Sequence, residues 1–352
     1  MSKHAPGRGW WRRAAVRWFV GLGRTLALVS VLCAARPALA WEPSRPVELI
    51  VPAGSGGGAD QMAHVLRRSS AAHRLLGQPV VVTNKSGGDG AEGFLHMKAS
   101  AHNPHKVLMA MSNLFTTPRA SGLAFSYRDL TPLAMLALDE FVLWVHPGVP
   151  FSTARDYFDA IRAAPDRTFS IGGTGLKQED QLLAVALQKR LGKKLSYVPY
   201  RGGGEVAARL AEGRVTCSVN NPLEAVERWQ SGQLRPLCVF RAERMPQTKR
   251  LSGGHAWSDI PTCRSAGVDL EYRMLRGAFL PSGVSPEVVA FYVEWLRRVH
   301  ELPEWREFLD AAGLEDRFAT GREFEEWLAQ ADGLHQTWMR DAGLLPGQSR
   351  SP

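Results

Sequence analysis

The chain has 352 residues, 43 Lys and Arg against 34 Asp and Glu, and a formal net charge of +9. Seven of those basic residues (Lys3, Arg8, Arg12, Arg13, Arg17, Arg24 and Arg36) fall in residues 1–40, which hold no acid, leaving 36 basic against 34 acidic residues beyond. The bulk of the chain is therefore near neutral, which excludes a general polyanion-binding surface as the meaning of the charge.

Residues 1–40 have the three parts of a secretory signal: a basic stretch to Arg24, the uncharged run Leu26–Ala35, and Ala38-Leu39-Ala40, with small residues where the signal peptidase needs them. Arg24 and Arg36 bracket too few apolar residues for a spanning helix, which needs about 20. A lipoprotein cut before Cys33 is disfavoured by bulky Leu32, and the residues after Arg12-Arg13 fit a twin-arginine signal poorly. The expected cut after Ala40 leaves 312 residues, soluble, outside the cytoplasm and long enough for two domains. The remaining cysteines, Cys217, Cys238 and Cys263, match no zinc or haem spacing. Cys217 and Cys238 lie within apolar runs and read as buried thiols, although one disulfide is open to an exported chain.

Beyond the signal, short apolar strands alternate with amphipathic helices. Expected strands are Val47–Val51, Val80–Thr83 and Lys106–Ala110, with helices at Ala59–Leu75 and Ala91–Ala101. A second set has strands at Thr168–Ile171, Leu195–Val198, Arg214–Val219 and Leu237–Phe240, with helices at Thr153–Ala163, Glu179–Leu191, Glu205–Ala211 and Leu223–Trp229. This pattern predicts an α/β fold of largely parallel or mixed sheets flanked by helices. Residues 241–262 read as a polar loop, and the end of the chain as helices at Pro286–His300, Trp305–Ala312 and Arg322–Met339. Two extended runs, Leu133–Val145 and Tyr272–Leu280, bracket the second set and are expected to cross between two lobes. The predicted division is residues 41–142 with 274–352 as the first lobe and residues 143–273 as the second.

Glycine-rich turns stand where strands hand over to helices: Gly54-Ser55-Gly56-Gly57-Gly58, Gly87-Gly88-Asp89-Gly90, Gly172-Gly173-Thr174-Gly175 and Arg201-Gly202-Gly203-Gly204. Such turns let backbone N–H groups converge on an anion at a helix N-terminus. Gly54-x-Gly56-x-x-Ala59 satisfies a degenerate dinucleotide fingerprint, but Thr83-Asn84-Lys85 stand where the ribose-binding acid belongs, and no Gly-Lys-Ser/Thr follows for a phosphate loop. One such turn is only a tight turn; four on the carboxyl edges of two lobes point to a small-molecule cleft. Serine-hydrolase, Ser-x-x-Lys and His-Glu-x-x-His motifs are missing. His102 and His105 flank a polar Asn-Pro turn, and Asp139 and Glu140 point to opposite faces of a strand. These features argue against an enzyme, a metal centre, a cofactor and nucleic-acid binding.

Taken in order, these blocks resemble the periplasmic solute-binding receptors of tripartite tricarboxylate transporters, the Bordetella-uptake type. The matching residues are Pro52 to Asp60, Gln78 to Gly90, Ser112 to Pro118, Gly172 to Gly175, Val198 to Glu205, Val219 to Pro222 and Asp259 to Thr262. The resemblance implies a hinged two-lobed periplasmic-binding-protein fold, a carboxylated metabolite as ligand, a small and a large membrane subunit as partners, and a monomeric receptor. Carried over by position, the first-lobe contacts are Ala53, Gly54, Ser55, Gly56, Gly57, Gly58, Gly87, Gly88, Asp89 and Gly90, with Ser112, Asn113 and Thr116 nearby. The second lobe offers Thr174, Asp180, Tyr200, Arg201, Gly202, Gly203 and Asn220. Relatives have a small neutral residue at Asp89; here it either caps the helix beginning near Gly90, the favoured role, or meets an ammonium on the ligand. Arg201 either holds a distal carboxylate or faces solvent. A sensor presenting solute to a membrane signalling protein, and a periplasmic hydrolase, are the competing functions.

Overall fold

The computed structural model describes residues 41–251 and 253–347. The expected signal segment and its cut after Ala40 lie outside the described residues. From Glu42 onward the chain forms one compact unit, built on two mixed sheets.

The first sheet collects β1 (Val47–Val51), β2 (Val80–Asn84), β3 (Lys106–Ala110), β4 (Leu130–Glu140), β10 (Arg273–Pro281) and β11 (Glu315–Thr320), in the order β11-β4-β10-β3-β1-β2. The second collects β5 (Val142–Val145), β6 (Ser170–Thr174), β7 (Ser196–Tyr200), β8 (Cys217–Asn220) and β9 (Arg235–Val239), in the order β7-β6-β8-β5-β9. Each sheet has a parallel trio, β2-β1-β3 or β7-β6-β8, whose third strand pairs with an antiparallel strand from the crossing region. In each trio the middle strand comes first in sequence, so its two following connections run to opposite sides. That is the arrangement that opens a crevice at the carboxyl ends.

Helices flank both sheets. The first lobe carries α1 (Gly58–Ala72), α2 (Ala91–Lys98) and α3 (Asn113–Ser121); the second carries α4 (Ala154–Ala163), α5 (Glu179–Leu191), α6 (Gly203–Ala211) and α7 (Pro222–Gln230). The chain closes with α8 (Pro286–His300), α9 (Pro303–Ala312) and α10 (Gly321–Ala342). β5 shows why these strands are apolar throughout: Leu143 and Val145 enter one core with Phe158 and Leu187, while Val142 and Trp144 enter another with Trp229 and Trp257. Both faces are buried, so no polar alternation survives. The first lobe packs Ile50, Phe94, Leu108 and Phe279 against Phe324 and Leu328 of α10. No helix among the described residues is long and apolar enough to cross a membrane.

Four expectations need correction. The run Leu133–Val145 is two strands: β4 ends in the first sheet at Glu140 and β5 begins in the second at Val142. The end of the chain is not all helical, because β11 pairs antiparallel with β4; of its six residues only Ala319 is buried, so this edge strand lacks an apolar signal. Residues 241–262 are more than a polar loop, since Met245 and Trp257 are buried there and the Trp257 indole donates to the Asp310 carbonyl at 3.1 Å. Finally, Cys238 is not a free thiol. It is bonded to Cys263, brought beside it by the bridge between Val239 and Thr262. Cys217 does remain a buried thiol, pushed up to about 12 by burial.

Candidate functional site

Six strand-to-helix turns border one cavity of about 970 Å³, a volume suited to a small metabolite. Five of them, all but the β3–α3 turn with Met111 and Asn113, are held by the same device: an acid in the first turn of the following helix folds back and accepts an N–H of its own turn.

In the β1–α1 turn that acid is Asp60, buried, accepting from Gly56 N–H at 2.8 Å, Asn84 Nδ2 at 2.9 Å and Ser55 Oγ at 3.3 Å. Burial opposes its charge, yet these donors and His64 hold it below the usual carboxylate range. Gly56 adopts φ +81°, a left-handed conformation that glycine takes without strain. In the β2–α2 turn the acid is Glu92, accepting from Gly87 N–H at 3.3 Å and from Lys85. Gly88, Asp89 and Gly90 are all left-handed there, at φ +58°, +57° and +95°.

The second lobe repeats the device. Asp180 accepts Thr174 N–H at 2.8 Å, Glu205 accepts Arg201 N–H at 3.1 Å, and Glu224 accepts Asn221 N–H at 3.2 Å. Gly203 is required by contact, since a Cβ there would lie 1.9 Å from the Glu224 carboxyl carbon. With the acids engaged on the turns, the positions before α1, α2, α5 and α6 (Gly57, Gly90, Gln178 and Gly202) make no side-chain capping bond. Four helix N-termini thus keep first-turn amides free of a side-chain cap at the cavity border.

Most residues expected from the sequence line the cavity: Ala53 to Gly58, Asp89, Gly90, Asn113, Thr174, Asp180, Tyr200, Arg201, Gly202 and Gly203. Gly87, Gly88, Ser112, Thr116 and Asn220 do not. Gly87 and Gly88 shape the outside of their turn. The Ser112 hydroxyl accepts Leu275 N–H at 3.0 Å inside the lobe. Thr116 is buried on α3, and Asn220 lies under the wall, its amide spent on Gly203 O, Glu224 and Ser218. Asp89 is not the cap of α2: that position is Gly90, and no capping side chain is present. The Asp89 carbonyl accepts from Thr117 at 2.8 Å and Asn113 at 3.3 Å, while its exposed side chain lines the cavity without a partner for the carboxylate, and partial desolvation pushes it up.

Three lining residues escaped the sequence. Arg276, on β10, is buried at the cavity floor, with Nε and Nη2 on Asp139 and Nη1 unpartnered. Gly58 makes room for it, since a Cβ there would lie 2.6 Å from Nη2. Glu179 opens α5; it is 4% exposed, and its Oε1 has no partner. Burial pushes it up to about 7, Arg276 pulling it down and Asp89 adding to the rise. Glu224, with Asn220 and Asn221 as donors, is likewise raised by burial. His102 and His105 turn to different partners, Gly283 O and Ser44.

The family model for the tripartite tricarboxylate transporter family receptor matches residues 65–334. Protein BugT of Bordetella pertussis is 30% identical over 238 residues, 64% of this chain and 71% of that protein. Among solved structures, the periplasmic binding protein BugD superposes with a TM-score of 0.75 at 21% identity, over 86% of this chain and 99% of that one. MatC from Rhodopseudomonas palustris with bound malate superposes with a TM-score of 0.70 at 21% identity, over 85% and 98%. These superpositions establish the two-lobed fold; the family match establishes the role. Receptors of this family are periplasmic and serve membrane transporter components, so this chain, a solute-binding receptor, belongs to the tripartite tricarboxylate transporter receptor family.

Proposed function

We propose that the protein captures a small carboxylated metabolite between its lobes and delivers it to a small and a large membrane subunit. The observation that carries this reading is the set of uncapped helix N-termini around the 970 Å³ cavity. Backbone amides there satisfy a carboxylate without a lysine, and each favourable helix end contributes about 0.3–1 kcal/mol when exposed and more when buried. The malate in MatC is a carboxylate held by a protein of the same fold. In this reading Ala53 to Gly58 and Gly90 take the carboxylate, Arg276 Nη1 adds a charged donor at the floor, and Thr174, Tyr200 and Gly202 close from the second lobe. The lobes divide as residues 41–142 with 274–352 and residues 143–273. The receptor works as a monomer, after export and a cut following Ala40, and carries out no chemistry on its ligand. A ligand that fits only the closed arrangement shifts the hinge by its differential affinity.

The test is a thermal-shift screen of refolded protein against mono-, di- and tricarboxylates and amino acids. At one hundred times Kd a ligand adds about 2.7 kcal/mol of stability, a rise in Tm of several degrees. No shift with any carboxylate overturns the reading.

A further inference from the structure

The receptor reading leaves the ligand's other end open, and the inference below rests on that reading. Three acceptors at the cavity have no donor. The Asp89 carboxylate has no hydrogen bond or ion pair. Glu179 Oε1 is buried and unpartnered. Asn113 is 4% exposed, and its Nδ2 donates to the Pro52 and Asp89 carbonyls, which fixes the amide so that the buried, unpartnered Oδ1 is an acceptor. Asn113 therefore touches the Asp89 backbone, and Asp89 is an electrostatic neighbour of Glu179. Glu179 Oε1 and Asn113 Oδ1 are the two buried ones, and an acceptor buried without a donor is costly unless a ligand supplies one; Asp89 is exposed and adds its charge at the same cavity.

The charges agree. The Arg276 guanidinium is already matched by Asp139. Asp89 and Glu179 have no cation in ion-pair contact among the described residues, and both line the cavity. A ligand with two or three carboxylates would bring further negative charge to this wall.

We propose that the ligand is a carboxylate carrying a cationic nitrogen, whose ammonium or amidinium is received by Asp89, Asn113 Oδ1 and Glu179 Oε1. An ammonium has three N–H bonds to give, enough for all three acceptors. Its carboxylate lies on the first-lobe turns and Arg276 Nη1, so the ligand spans an anion end and a cation end. The groups facing Glu179 are Asp89 and Arg276 from the first lobe, Asp180 beside it on α5, and Tyr197 and Tyr272.

The experiment compares matched acids differing only in the amine: glutarate with L-glutamate, butanoate with 4-aminobutanoate, and propanoate with L-alanine, by calorimetry and thermal shift on the mature chain at pH 6 and pH 8. At least one amino acid is expected to bind tenfold or more tightly than its deaminated partner. Asp89→Asn and Glu179→Gln should each reduce that preference by about tenfold or more. Glu179→Gln removes a buried charge that has no ion-pair partner and keeps an acceptor oxygen for the backbone N–H, so its unliganded Tm should not fall, which separates lost recognition from lost folding. If the plain acids bind as well as or better than the amines, and more weakly at pH 8 than at pH 6, Glu179 is serving as a protonated donor to a carboxylate; the receptor reading then stands and this inference falls. If no member of any pair binds, this inference falls, and silence across the wider carboxylate screen overturns the receptor reading as well.

Discussion

The two lobes use one strand order and one way of folding a turn, yet their walls differ in character. In the first lobe the turn acids are satisfied: Asp60 has three donors and Glu92 has two, and both are held below the usual carboxylate range. In the second lobe Asp180 and Glu224 are pushed up by burial, as is Glu179 beside them. The same glycine-turn device thus holds lowered acids in one lobe and raised acids in the other. What separates them is burial more than donor count: Glu92 and Glu224 each have two donors, but Glu92 is exposed and Glu224 is desolvated.

Substitutions at the turns should break this comparison most strongly. Gly203→Ala drives a Cβ to 1.9 Å from the Glu224 carboxyl carbon, and Gly90→Ala combines φ +95° with a Cβ 2.7 Å from Pro52 O. Each should cost about 2–4 kcal/mol in chemical denaturation. Gly204 meets nothing within 4 Å and lies in α6, so Gly204→Ala should instead add about 0.5–1 kcal/mol. Equal effects at Gly203 and Gly204 would show that contact with Glu224 does not constrain the turn.

The disulfide is an asymmetry of comparable size. Cys238 and Cys263 are 25 residues apart, and the bond ties β9 to the segment after the long loop, wholly within the second lobe. Closing a loop of that length stabilises by roughly 3–4 kcal/mol in the chain-entropy account. Cys238→Ala with Cys263→Ala should lower second-lobe stability by about that much, and hydrogen exchange should loosen around β9 before it loosens around β1. Uniform loosening of both lobes would make the unit a single cooperative block.

Much of this architecture was legible in the sequence, for physical reasons that also mark where it stopped. The turns could be read because a strand ending in glycines before an amphipathic helix has few other solutions. The disulfide could not, because three cysteines allow three pairings and only the bridge between Val239 and Thr262 selects one. Arg276 sits in the run Tyr272–Leu280 with no local sign of burial; its partner Asp139 is 137 residues away. At the start of α3, Asn113 lines the cavity while Thr116 and the preceding Ser112 are buried away from it, a choice that a polar run does not reveal.

The pH dependence sharpens the contrast between the walls. Asp60 has a lowered pKa in the folded state, so its contribution is present above the unfolded carboxylate value of about 3.9 and lost as pH falls through the lower folded one. Glu179 has the opposite sign. Its folded pKa of about 7 exceeds the unfolded value of about 4.3, so stability declines as pH rises between those values. At roughly 1.4 kcal/mol per unit, the decline is at most about 3–4 kcal/mol. Glu179→Gln should flatten that part of the profile, gaining stability relative to the parent at pH 8 and little at pH 4. Parallel profiles would mean that the Glu179 charge is already compensated.

The smallest stability change is expected at Asp89. Its carboxylate caps no helix and has no partner, so Asp89→Asn removes no bond. Asparagine also tolerates the left-handed backbone held here at φ +57°. Stability should stay within about 0.5 kcal/mol of the parent in urea unfolding. Asp89→Leu keeps side-chain bulk but cannot support that conformation locally, and should cost about 1–2 kcal/mol. A loss with asparagine as large as with leucine would show that the Asp89 charge supports the fold. Loss with leucine alone assigns the backbone requirement to residue 89 and leaves its carboxylate free for the ligand.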